Sequence, residues 1–101
     1  MPLDVAILGS DGKPLEQVSL HLAVHAEVHE AALHAGLPLL LRMHDYHREV
    51  LFECVELPAL LEELQQVSTA LKPSARSVVS ELQKLIEKSI VAEKDLKVLP
   101  D

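Results

Sequence analysis

Two stretches near the start of the chain alternate apolar and polar residues with period two. In "LDVAIL", Leu3, Val5 and Ile7 alternate with Asp4 and Ala6; in "EQVSLHL", Val18, Leu20 and Leu22 alternate with Gln17, Ser19 and His21. Successive side chains of a strand point to opposite faces, so both stretches predict half-buried strands. Between them lies "GSDGKP", where Asp11-Gly12 supplies the positive-φ residue of a tight turn and Pro14 discourages continued pairing. The pattern predicts an N-terminal antiparallel hairpin.

The spacing then changes to that of a helix. Val24, Val28, Ala31, Ala32 and Ala35 gather on one side of "AVHAEVHEAALHAG", with Gly36 placed to end the helix and Pro38 to stop it. Leu39 to Leu41 form an apolar run too short to separate strand from helix, so residues 39–43 stay open between the two. "EVLFECV", near residues 49–55, reads as a strand with Val50, Phe52 and Cys54 on one face. Two longer helices follow. One carries Leu57, Leu60, Leu61, Leu64 and Val67 with Pro58 in its first turn; after the break "KPSARS", the other carries Val78, Val79, Leu82, Leu85, Ile86 and Ile90. Residues 94–101 predict either an edge strand or a loose tail.

Strands come early and helices late, which predicts an α+β fold. Its expected form is a small antiparallel sheet, the hairpin plus the strand near 49–55, with about three helices packed on one face. A chain of 101 residues accommodates one hydrophobic core, so residues 1–101 are expected to form a single domain.

Composition narrows the function classes. The formal charge of −7 disfavours long-range attraction to nucleic acid or anionic lipid and favours a basic partner. Tyr46 and Phe52 are the only aromatic residues, too few for a platform that stacks bases. The single cysteine, Cys54, excludes an intrachain disulfide and fits a reducing compartment; its neighbours predict a buried structural thiol. No apolar run has membrane-spanning length and no secretory leader is apparent, so a cytoplasmic protein is expected.

Candidate chemistry lies in the six histidines. His21, His25, His29 and His34 fall within fourteen residues, and His44 and His47 form a second cluster. His21 continues the strand alternation and is expected to point off the hairpin, leaving His25 and His29 as an i, i+4 helical pair able to share a metal ion. Neither Glu27 nor Glu30 lies on the flank of that pair, and His29 and His34 are five apart rather than the four of a zinc-protease helix. These histidines therefore read as exposed or rim residues beside an alanine stripe. Histidine-dependent metal binding is the alternative function.

The segment "RMHDYHRE" carries Arg42, His44, Asp45, Tyr46, His47 and Arg48 close together. With no activated nucleophile or phosphate-cradling glycine loop beside it, the segment reads as a partner-binding surface rather than a catalytic one. The resulting expectation is a non-enzymatic protein-binding module with no cofactor, an immunity-type inhibitor or an adaptor that engages a basic protein. The leucine stripes are core first and a self-association surface second.

Overall fold

The computed structural model describes residues 3–9, 11–43 and 49–99. The elements run β1 (Leu3–Leu8), β2 (Pro14–Leu20), α1 (Leu22–Ala35), α2 (Pro38–Arg42), β3 (Val50–Phe52), a 3-10 turn (Cys54–Glu56), α3 (Leu57–Ser68), α4 (Pro73–Val91) and β4 (Leu96–Leu99). The strands form one antiparallel sheet in the order β2-β1-β4-β3. This is a small α+β fold.

The hairpin forms as its alternation predicts as far as Leu20; Leu22, expected to continue the strand, instead opens α1 and is exposed. Val5 faces Val18 in register and Leu3 faces Leu20, while Gly12 closes the turn at φ 80° and its N–H donates to the Gly9 carbonyl at 3.0 Å. Pro14 does not end the pairing. It is the first residue of β2, opposite Leu8, where a strand at the sheet edge tolerates a residue without an N–H. The inward residues Val5, Ile7, Leu20, Phe52, Leu96 and Val98 share one core with Leu57, Leu60, Leu64, Val79, Leu82 and Ile86 of the helices. Ala6 is also fully shielded but lies on the opposite sheet face, outside that core. Gln17 and Lys97 flank it in register, and side chains of that length screen a single methyl.

One open reading closes and two expectations change. Residues 39–43 are helical: Pro38 opens α2, Leu40 and Met43 enter the core, and the fold gains a fourth helix. The strand expected over 49–55 contracts to Val50–Phe52, and Cys54 starts a 3-10 turn in which it is half-buried rather than sealed in the core. Most consequentially, residues 96–99 form neither a loose tail nor an edge strand. They pair with β1 on one side and β3 on the other, with Leu96 and Val98 completely buried, so the last element of the chain sits inside the sheet.

Helix ends show a common device. Neither Leu37 before α2 nor Lys72 before α4 caps its helix with a side chain, because neither carries an acceptor; at the 3-10 turn Glu53 and Glu56 form a capping box that leaves the Cys54 N–H to another acceptor. Carboxylates from elsewhere take the orphan donors instead. Glu63 on α3 accepts the N–H groups of Leu39 and Leu40 at 3.3 and 2.9 Å. Asp95 accepts that of Cys54 at 2.9 Å, and Glu27 on α1 accepts that of Lys72 at 2.9 Å. Each places a negative charge at the positive end of a helical segment. Part of the acidic balance is thus spent on joining elements rather than on an outward field.

Candidate functional site

Of the six residues expected to contact a partner, the described residues include Arg42; His44, Asp45, Tyr46, His47 and Arg48 lie outside them. Arg42 stands in the last turn of α2, and a five-residue helix would not persist alone. Pro38 at its first position, the buried Leu40 and the Glu63 cap hold it in place. The Arg42 guanidinium lies over the Phe52 ring, 4.8 Å from its centroid, and donates to the Glu56 Oε2. The other oxygen of Glu56 accepts the Glu53 N–H at 3.2 Å. One carboxylate therefore ties the end of α2 to the start of the 3-10 turn.

The neighbouring surface is fixed from the other side as well. Lys97 on β4 pairs with Glu49 at 2.9 Å, and Asp95 holds Cys54. With Phe52 turned inward, the next residue along the strand, Leu51, must point outward. Leu51 is 46% exposed, and Val55 in the 3-10 turn is 84% exposed. The stretch 49–56 thus presents two bare aliphatic side chains among Glu49, Glu53 and Glu56, on a backbone pinned by ion pairs and hydrogen bonds at both ends.

Other exposed aliphatics lack this setting. Leu22 and Leu33 on α1 are both more than half exposed, but they are eleven residues apart, ~16 Å along the helix axis.

The histidines divide. His21 sits in extended backbone just before α1 and is exposed, as the strand alternation implies; His34 is exposed too. His29 is half-buried and His25 is 2% exposed, which corrects the reading of all four as rim residues. The inward face of α1 runs through His25, Val28 and Ala32; it keeps Val28 and Ala32 of the stripe that periodicity picks out, but its centre is turned towards His25, and this rotation carries one imidazole inside. Both His25 and His29 are engaged by partners in the fold. Among the described residues, no group of three or more His, Cys, Asp or Glu side chains is placed to hold a metal ion.

Sequence reasoning placed the surface at residues 42–48 and missed Leu51, Glu53, Val55 and Glu56. The signal was present in "EVLFECVE": putting Val50 and Phe52 inward puts Leu51 outward, and the three glutamates flank it.

Against known proteins, the chain matches no family model, no curated protein and no solved structure. The class that fold and surface define is therefore a small α+β domain, in which no described helix is long and apolar enough to cross a membrane.

Proposed function

We propose that the chain is a non-enzymatic protein-binding module, of the inhibitor, immunity or adaptor kind, that docks a basic protein through the stretch Glu49–Glu56. The observation that carries this reading is the exposure of Leu51 and Val55 among three glutamates on a pinned backbone. Apolar groups rimmed by charge are the usual make-up of a protein contact, with burial supplying affinity and charge supplying orientation and speed of encounter. Lysine or arginine side chains on the partner would meet Glu53, since Glu49 and Glu56 are engaged by Lys97 and Arg42. Arg42, held by Glu56, marks the rim, and in sequence the contact continues into His44, Asp45, Tyr46, His47 and Arg48. A lone half-buried thiol suits the cytoplasm, where thiols stay reduced.

Affinity capture from the native host tests the reading. Wild type should enrich a basic protein that is released as salt rises. Leu51→Asp combined with Val55→Asp should lose it by ~30-fold or more, the scale of an interface hot spot, with an unchanged circular dichroism spectrum. Equal capture by wild type and the folded double variant would overturn the proposal, as would enrichment of no protein at all.

A further inference from the structure

We propose that the chain forms a two-fold symmetric dimer by pairing β2 with β2 of a second copy, so that the four-stranded sheet becomes one of eight strands with the two α4 helices side by side. Among the described residues β2 is the longest strand and lies at the sheet edge, paired only with β1. Such an edge is a template for another strand unless it is blunted by proline, bulges or inward charges. Here the proline is the first residue of the strand and the register irregularity falls at Leu15 beside it, so both devices sit at one end; residues 16–20 pair regularly with β1 and carry one charge, Glu16, whose carboxylate is engaged at 2.9 Å by Lys88 of α4. The charge that would guard the rest of the edge is folded back onto the chain's own helix.

The groove between β2 and α4 supplies the reason for a second copy rather than another partner. Val18 and Leu85 lie along it, and Glu16, Glu81, Lys84 and Lys88 are its charged residues. In a chain of net charge −7, this strip holds two carboxylates and two ammonium groups. A basic protein gains nothing from such a balanced strip. A two-fold axis uses it fully, because the operator reverses α4 and brings the Glu81 end of one copy to the Lys88 end of the other, while Glu16 faces lysines from both copies. Val91, 85% exposed, borders the adjoining hollow with Lys84, Glu87 and Lys88, and Leu15 on β2 is 63% exposed; both are aliphatic groups left to be covered. This surface lies on the opposite edge of the sheet from β3, so dimerisation leaves the Glu49–Glu56 stretch free.

Sedimentation equilibrium across roughly 1 µM to 1 mM, the range of ordinary reversible association, tests the proposal. Wild type should reach twice 11.1 kDa. Lys84→Glu with Lys88→Glu makes the strip wholly acidic, and Glu16→Lys with Glu81→Lys makes it wholly basic. Each variant alone should sediment as a monomer, and an equimolar mixture of the two should recover the dimer. Amide exchange in wild type needs no substitution and should show protection of residues 15–20 rising with protein concentration. A wild type that stays monomeric throughout, folded variants that dimerise as wild type does, or exchange of β2 that ignores concentration would overturn the dimer.

Discussion

The Glu63 carboxylate on α3 accepts the backbone N–H of Leu40 on α2 at 2.9 Å, a hydrogen bond that joins residues 23 apart in the chain inside the core. It is the most deeply buried of the three remote caps; Asp95 on Cys54 is partly buried and Glu27 on Lys72 is exposed. An acceptor lost in the core leaves its donors without water to replace it, whereas a surface donor is resolvated at once. Alanine substitution should therefore cost about 2–3 kcal/mol at Glu63, about 1–2 at Asp95 and under about 1 at Glu27. Glu63→Gln, which keeps one acceptor oxygen, should fall between Glu63→Ala and wild type. Urea midpoints at constant m-value read the order directly, and equal losses at the three sites would show that burial does not set the strength of these caps.

Helices α1 and α4 end in the same backbone motif with different residues at its left-handed position. After α1, Gly36 takes φ 68°, and the Leu37 N–H reaches back to Ala32; after α4, Glu93 takes φ 55°, and the Lys94 N–H reaches back to Ser89. A side chain at positive φ crowds its own carbonyl, which glycine avoids. Glu93→Gly should thus stabilise the fold by up to about 1 kcal/mol, and Gly36→Ala should weaken it by about 1 kcal/mol. Open space surrounds the Cβ position at Gly36, so backbone conformation alone is being measured there. Thermal melts of the two variants should move in opposite directions.

Arg42 separates a surface role from a structural one. Its guanidinium covers Phe52 and meets Glu56, but the arginine side chain is 44% exposed and Glu56 29%, so both contacts are screened by water. Arg42→Ala should cost no more than about 1 kcal/mol of folding free energy. Phe52→Ala, which empties a fully buried site, should cost about 3–5 kcal/mol. If the rim of the Glu49–Glu56 stretch contacts a partner, Arg42→Ala should weaken capture far more than its small effect on unfolding accounts for.

The local elements were legible because their signals are local. Period-two alternation and Asp11-Gly12 give the hairpin, Gly36 gives the end of α1, and the leucine spacing gives α3 and α4. Residues 39–43 were not legible: five residues hold too little periodicity, and what makes them helical is Glu63, 23 positions beyond Leu40. His25 was misplaced because an alanine-rich helix has a weakly defined inward face, so a rotation of less than one position changes which residue is enclosed. Of the surface, Leu51 followed from the strand pattern, but the fixing of Glu49 by Lys97 and of Glu56 by Arg42 depends on pairings between distant segments.

β4 shows that limit most clearly and yields the strongest test of the architecture. "LKVL" alternates as plainly as the first strand does, yet nothing in the sequence names its neighbours. In the fold it separates β1 from β3, and it is the strand through which β3 joins the sheet. Leu96 and Val98 are completely buried, and full burial of such a side chain is worth about 1.5–3 kcal/mol. Together they approach the lower end of the about 5–15 kcal/mol that holds a domain folded. Leu96→Ala should therefore cost about 2–5 kcal/mol, while Lys97→Ala, on the opposite face and tied to Glu49 only by a surface ion pair, should stay within about 0.5–1 kcal/mol of wild type. Truncation after Asp95 should abolish cooperative unfolding altogether. A loose tail would tolerate all three changes, so a truncated chain that still melts in one sharp transition would remove β4 from the sheet.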